Sequence, residues 1–170
     1  FLSIDIGLDS GYILSGFSYS FDGVADIYLV KTDETGTTNW SRSYSSPDGG
    51  NAGFATTGLN NYWVTGQWSM PDDYSGIIMK VNSLGTLVDS ISIRDSAVKT
   101  TILASRAAFV DGKFVKSSGT KVSTMGANPI GWQVKIDTNC QLVWERDYIK
   151  RNSDHYLVDV CSLPDGGSLL

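Results

Sequence analysis

Residues 30–44 read VKTDETGTTNWSRSY, and residues 134–148 read VKIDTNCQLVWERDY. The two stretches are offset by 104 residues and align without a gap. The identical positions are Val30, Lys31, Asp33, Trp40, Arg42 and Tyr44 in the first stretch and Val134, Lys135, Asp137, Trp144, Arg146 and Tyr148 in the second. In addition, Asp9 and Gly11 recur as Asp165 and Gly167 after 156 residues. Both offsets are multiples of 52, which predicts an internal repeat with a period of about 52 residues.

The first copy shows how one repeat is built. Apolar and polar residues alternate over residues 2–6, and a turn containing Asp9 and Gly11 follows, which is typical of a strand that enters a hairpin. Further strands are predicted over residues 12–19, 26–32 and 37–44, with a loop ending in Gly36 between the last two. The other copies show the same order of strands and turns, and no long segment has helical periodicity.

Four short strands per repeat, without a crossover helix, predict one antiparallel sheet per repeat. Sheets of this kind arranged radially are the blades of a β-propeller. We therefore expect an all-β, propeller-type array of four-stranded antiparallel blades. Three full blades are predicted at residues 1–50, 51–101 and 102–155, and the first strands of a fourth at residues 156–170. Three blades do not close a ring, so we expect a segment of a larger propeller or a subunit that shares strands with another copy.

Three short motifs follow one another in a fixed order within the first repeat. An Asp-x-Gly-Tyr-Ile segment at residues 9–13 is followed by an apolar strand with Lys-x-Asp at residues 26–33, and then by a Gly turn and Trp-Ser-Arg-Ser-Tyr at residues 40–44. This combination resembles the kelch-like propeller repeats of secreted and cell-surface bacterial and archaeal proteins. The resemblance implies an extracellular or cell-surface location and structural roles for these motifs, and it carries no catalytic signature.

Two copies depart from the motif. The second copy has Asp89 at the position of the motif tryptophan, and the third has Cys140 at the position of the turn glycine. Where the tryptophan is present, at Trp40 and Trp144, we expect it to pack between adjacent blades. The recurring lysines Lys31 and Lys135 are expected to pair with Asp33 and Asp137 across the hairpin turn.

The composition of the chain limits the kinds of partner that we expect it to bind. The net charge is −5, and Lys and Arg form no basic stripe, so nucleic-acid binding is not expected. No apolar stretch approaches the length of a membrane span. Cys140 and Cys161 do not form a zinc-binding pattern, and a disulfide and two free thiols remain alternatives. The acidic loop residues lack the spacing of a calcium loop, so neither a metal nor another cofactor is predicted.

The sequence offers few candidate site residues. Trp68 and Trp132 do not recur in register, which makes them candidates for stacking against a sugar. Asn39 begins an Asn-Trp-Ser sequence, the acceptor pattern for N-glycosylation. His155 beside Asp154 is the catalytic candidate, although a Ser/His/Asp set carries little information in a serine-rich chain.

We therefore expect a non-catalytic extracellular scaffold or binding module whose loops contact protein or glycan. Two alternatives stay open. One is a structural subunit that assembles into rings or filaments through shared strands. The other is a propeller hydrolase or lyase with an axial site, for which the nearest charged residues are Asp5, Asp154, His155 and Asp159.

Overall fold

A computed structural model describes residues 1–19, 23–46, 48–70, 73–94, 100–103, 106–122, 128–148, 157, 159–163, 165 and 167–169. The regular elements in these ranges are all β-strands. The first sheet consists of β1 (Ser3–Ile6), β2 (Tyr12–Tyr19), β3 (Ala25–Thr32) and β4 (Thr38–Tyr44). Its strands are antiparallel and lie in chain order, so each pairs with the next along the sequence.

Two further sheets repeat this topology. The second sheet consists of β5 (Gly50–Gly58), β6 (Asn61–Met70), β7 (Asp73–Val81) and β8 (Leu87–Ile93). The third sheet consists of β9 (Thr100–Leu103), β10 (Ala108–Val110), β11 (Phe114–Val122), β12 (Ile130–Asp137) and β13 (Leu142–Tyr148). In the third sheet, β9 and β10 pair with opposite ends of β11. Together they take the place of the first strand of that sheet. A short hairpin of β14 (Cys161–Ser162) and β15 (Ser168–Leu169) follows.

The prediction of an all-β chain built from four-stranded antiparallel sheets is confirmed. One parallel pair, Tyr74 of β7 with Thr100 of β9, joins the second and third sheets. The second strand of the third sheet, β11, is nine residues long and ends at Val122. In the described part of the chain, no helix is long and apolar enough to cross a membrane.

The hairpin loops are stabilised by local side-chain hydrogen bonds. In the first sheet, the Asp33 carboxylate accepts hydrogen bonds from the backbone N–H groups of Thr35 and Thr37, each at 2.9 Å, and from the Thr35 hydroxyl at 2.7 Å. These bonds, that of the Thr35 side chain foremost, lower the pKa of Asp33. Asn82 and Asp137 accept the equivalent backbone bonds in the other two sheets.

The expected pairing of the recurring lysines with the turn aspartates is wrong, because the backbone of the turn occupies those carboxylates. Lys31 instead forms an ion pair with Asp9 at 2.5 Å, at the hairpin between the first two strands. This contact with Lys31 is the main cause of a lowered pKa at Asp9. Lys135 lies over the ring of Phe114, 3.8 Å from its centroid.

The sheets stack face to face, because each strand places alternate side chains on opposite faces. A buried apolar cluster lies between the first and second sheets. Its members are Ile13, Ile27 and Leu29 from the first sheet and Ala55, Tyr62, Val64, Ile77, Met79 and Val81 from the second. At the first strands, the backbone N–H of Ala55 donates to the hydroxyls of Ser3 and Ser15, at 3.1 and 3.0 Å.

The opposite face of the second sheet packs against the third sheet. This second cluster contains Trp63, Ile78 and Ile93 from the second sheet and Ala107, Val115, Trp132, Val134, Ile136 and Cys140 from the third-sheet side. The second sheet is therefore covered on both faces, whereas the first and third sheets are each covered by a neighbouring sheet on one face.

Trp40 lies between the first and second sheets, as predicted. Its indole N–H donates to the Ser83 carbonyl at 2.9 Å, and its ring lies 6.1 Å from that of Tyr62. A Cβ atom at Gly85 would lie only 3.0 Å from this indole ring, so a glycine is required beside the tryptophan.

The two departures from the motif lie together in the next interface. Asp89 occupies the register position of Trp40, and Cys140 occupies that of Gly85. Cys140 is 2% exposed, and its pKa is raised to about 11, chiefly by burial and also by Asp89. Asp89 is smaller than the tryptophan found at this register position in the first sheet, and it leaves room for the Cys140 side chain. Here the Lys80 ammonium group donates to the Thr138 carbonyl at 2.8 Å, as the Trp40 indole does to Ser83.

Truncation of Trp40 tests this packing. We expect Trp40→Ala to lower the free energy of unfolding by about 2 kcal/mol, because a half-buried ring and its hydrogen bond between sheets are lost. Trp144→Ala is the matched control, because Trp144 occupies the same register position and contacts Lys116 and Arg146 of its own sheet. We expect that change to cost less than about 1 kcal/mol in urea unfolding. Equal losses of stability in the two variants would contradict the packing of Trp40 between the first and second sheets.

Candidate functional site

Strand register identifies equivalent positions on the three sheets. In each sheet, the second strand places one residue directly opposite the lysine that precedes the hairpin loop. That residue is Ile13 in the first sheet, Trp63 in the second and Lys116 in the third. Ile13 and Trp63 are fully buried against the following sheet. In the third sheet, a cation thus occupies a position where the other two sheets bury a large apolar side chain.

A second position on the same face changes in the same way. Leu29 and Ile78 lie on the third strands of the first two sheets and are fully buried in the sheet-to-sheet clusters. Gln133 is their equivalent in the third sheet, as the pairing of the third and fourth strands shows. The third sheet thus keeps the strand pairing of its neighbours but replaces the apolar centre of this face with polar groups.

These replacements form the floor of a cleft on the third sheet. The cleft has a volume of about 290 Å³, at the lower end of the roughly 300–1,000 Å³ range of small-molecule sites. The side chains that line it are Lys116, Gln133, Lys135, Trp144, Arg146 and Tyr148. The final hairpin closes one side, where the Lys116 ammonium group donates to the Gly167 carbonyl at 3.3 Å.

Three cationic side chains meet in this cleft. Lys116 and Lys135 are directly opposite each other in the β11–β12 ladder, and Arg146 lies opposite Gln133 on β13. Like charges directly opposite each other destabilise an antiparallel pair. Burial, followed by the charge of Lys135, lowers the pKa of Lys116. The carboxylates of Asp165 and Asp111 act in the opposite direction but do not restore the usual value.

Aromatic rings hold the cations in place. The Lys116 ammonium group lies 5.9 Å from the centroid of the Trp144 ring, and the Arg146 guanidinium lies 5.0 Å from it. Lys135 lies over Phe114. Contacts of this kind stabilise a cation without neutralising it. The rings therefore fix the directions of the charged groups.

Gln133 adds a buried donor. It is 2% exposed, and its side-chain carbonyl accepts a hydrogen bond from the Tyr148 hydroxyl at 3.2 Å. Among the described residues, its amide nitrogen meets no acceptor. A buried donor without a partner costs roughly 1–3 kcal/mol of stability.

The predicted sugar-stacking residues lie elsewhere. Trp132 is fully buried between the second and third sheets, with its indole N–H donating to Glu145 at 3.0 Å, so its ring has no exposed face. Trp68 is half-buried and packs against the cluster between the first two sheets. Asn39 is exposed on the edge strand β4. None of the three lines the cleft described above.

The catalytic candidates are not assembled in the described part of the chain. His155 and Asp154 lie outside the described residues. Asp5 accepts hydrogen bonds from the backbone N–H groups of Thr57 and Ile6, at 2.8 and 2.9 Å. Asp159 accepts one from the backbone N–H of Val160. The carboxylates of Asp5 and Asp159 thus both accept hydrogen bonds from backbone N–H groups.

The two cysteines are free thiols. Cys140 is buried and Cys161 is exposed. The alternative of a disulfide between them is therefore not realised in the structure.

Comparison of the repeats identifies the cleft residues only after the strand register has shown which positions are equivalent. Lys135, Trp144, Arg146 and Tyr148 belong to the repeat motif, but Lys116 and Gln133 become informative only when they are compared with the buried residues that precede them in the other sheets. No protein-family model matches the chain, and no significant match was found among curated proteins.

Replacement of Lys116 tests the charge at the floor of the cleft. We expect Lys116→Met to raise the free energy of unfolding by about 1 kcal/mol and the melting temperature by roughly 2–4 °C, because it removes a buried cation opposite another. Thermal and urea unfolding measure the change. Lys113→Met, at an exposed turn position, is the control and should change stability by less than about 0.5 kcal/mol.

The stabilisation should depend on pH in a defined direction. Because the folded-state pKa of Lys116 is lowered, protonation favours the unfolded chain until the pH rises into the range where this lysine loses its proton. The difference between Lys116→Met and the unmodified protein should therefore shrink as the pH rises through the range between the lowered folded-state pKa of Lys116 and the ordinary pKa of lysine. A difference that grows with pH would contradict this account.

Proposed function

We propose that this chain is a propeller-type scaffold and binding module of an extracellular or cell-surface protein, and that it binds its ligand in the cleft on the third sheet. The observation that carries the proposal is the replacement of the buried Ile13 and Trp63 by Lys116 at one register position. The strand pairing is the same in all three sheets, and among the described residues the third sheet has polar side chains at the two register positions where the other sheets bury apolar ones.

A radial arrangement of the sheets is supported by a contact between non-neighbouring sheets. The Arg106 guanidinium, beside the first strand of the third sheet, donates to the Ile4 carbonyl on the first strand of the first sheet, at 3.2 Å. In a propeller, the first strands of all blades lie nearest a common axis, so contacts of this kind are expected there. We accordingly interpret each sheet as one blade.

The binding proposal has a defined test. We expect a glycan array containing neutral and anionic glycans to give signals with the unmodified protein. A double variant, Lys116→Ile with Gln133→Leu, copies the buried residues of the first sheet onto the third and should lose these signals while remaining folded by circular dichroism. Trp68→Phe is the comparison, because it alters the alternative stacking residue. Signals lost in Trp68→Phe but kept in the double variant would contradict the proposed location.

Self-assembly is a second candidate function, favoured by exposed apolar side chains on one face of the first sheet. Tyr62 and Val64 on the second sheet are fully buried against the first. Their register equivalents on the first sheet are Tyr12 and Leu14. Tyr12 is 38% exposed. Ile4 and Ile6 lie on the same face and are 51% and 65% exposed. This apolar face does not complement the cationic face of the third sheet, so we propose pairing between the first sheets of two copies.

Sedimentation analysis tests the assembly. The chain has a mass of 18.4 kDa, and we expect a concentration-dependent species of twice that mass. Ile4→Asp combined with Ile6→Lys should abolish it, because charges would be buried in the interface. The cleft variant Lys116→Ile with Gln133→Leu should leave the dimer unchanged. A species of 18.4 kDa at all concentrations would contradict this second function.

A further inference from the structure

We infer that the side chain of Asn39 carries an N-linked glycan at the outer edge of the first sheet. The sequence Asn39-Trp40-Ser41 is the only Asn-x-Ser or Asn-x-Thr pattern in the chain. The inference rests on the extracellular or cell-surface location in the proposed function, because glycans of this kind are attached to exported chains. It concerns a residue outside the cleft on the third sheet.

Asn39 lies at a bulge on an edge strand. Thr38 pairs with Thr32, and Trp40 pairs with Lys31. Asn39 lies between these pairs and has no partner residue on β3. β4 is the last strand of the first sheet in the pairing order, so its outer side is an edge of the described sheet. Proteins commonly cover or interrupt such an edge, and a bulky solvated group on the bulge residue does so.

The equivalent position faces solvent in the other two sheets. Val88 in the second sheet and Val143 in the third are the residues without a partner at the corresponding bulges. They are 52% and 47% exposed although both are apolar. The repeat therefore directs this side chain into solvent whatever its chemistry, and Asn39 is likewise exposed. The fold thus has room for a glycan at this position.

The functional groups of the acceptor pattern are accessible. Ser41 is exposed, as Asn39 is. In the described part of the chain, neither side chain forms a hydrogen bond or an ion pair. Trp40 between them is held to the second sheet by its own hydrogen bond to the Ser83 carbonyl. A glycan on Asn39 therefore removes no contact on which the packing of the sheets depends.

The attachment is a substitution at the first sugar of a polyprenyl diphosphate-linked oligosaccharide, catalysed by a transferase of the exporting cell. The side-chain nitrogen Nδ2 of Asn39 forms a bond to the anomeric carbon of that sugar. The bond between this carbon and the diphosphate oxygen breaks, and the lipid diphosphate leaves with the electron pair. The amide gives up one proton, and no oxidation or reduction takes place.

Peptide mapping of the protein isolated from its natural source tests the inference. Trypsin cleaves after Lys31 and Arg42, and we expect the peptide of residues 32–42 to carry the mass of an oligosaccharide. Peptide N-glycosidase should remove this mass and leave aspartate at residue 39. The peptide of residues 136–146 is the internal control, because it occupies the same part of the third repeat and contains Asn139 without the acceptor pattern.

Substitutions made in the natural source locate the glycan. Asn39→Gln and Ser41→Ala should each abolish it, whereas Ser41→Thr should retain it because the hydroxyl of the pattern is kept. Asn139→Gln is the matched control at another exposed position and should leave the glycan unchanged. Because all these side chains are exposed, the variants should unfold at the same temperature as the unmodified sequence. A glycan that persists in Asn39→Gln would overturn the assignment to this residue.

The result separates this inference from the proposed function. An exported protein whose residue 39 is an unmodified asparagine would overturn the glycan inference and leave the proposed location and ligand binding standing. A protein that stays inside the cell with residue 39 unmodified would overturn the inference together with the extracellular location.

Discussion

A row of packed β-sheets has a geometric constraint: only a sheet with a neighbour on each side can bury both of its faces. The second sheet of this protein has two such neighbours, and both of its faces are apolar at the centre. The first and third sheets each have one covered face among the described sheets. The residues on their other faces differ sharply in chemistry, with exposed Ile4 and Ile6 on the first sheet and buried Lys116 on the third. The assembly and binding proposals both follow from this difference.

Close packing between sheets explains the irregularities of the repeat. Trp40 fills the space beside Gly85, where a Cβ atom would lie only 3.0 Å from the indole ring. In the next interface, a small Asp89 faces Cys140, which retains a left-handed backbone with a φ of 54° in place of glycine. Protein interiors are packed to nearly constant density, so a loss of volume on one sheet is matched by a gain on the other. The two departures from the motif are therefore one compensated change.

The cleft shows how a repeated scaffold acquires a local function. The third sheet has the same strand pairing as the first, including the bulge before the hairpin loop. On the face turned away from the second sheet, it carries opposed cations and a buried amide, and Lys116 and Gln133 stand where the other two sheets bury apolar side chains. The strand and turn positions around these groups are retained. Function thus resides in a few side chains on an otherwise structural unit.

The amino-acid sequence by itself determined the period, the strands and the hairpin turns, because alternation and turn chemistry act between residues that are close along the chain. Asp33, Asn82 and Asp137 illustrate this, since each binds backbone groups two and four residues ahead. Which residues meet across sheets was decided only by the tertiary structure. Trp132 looked like an exposed sugar platform and is buried, while Lys116 gave no signal and lies at the floor of the cleft. The loops between paired strands differ in length, so the equivalence of Ile13, Trp63 and Lys116 is established by hydrogen-bonded register and by the face on which each residue stands.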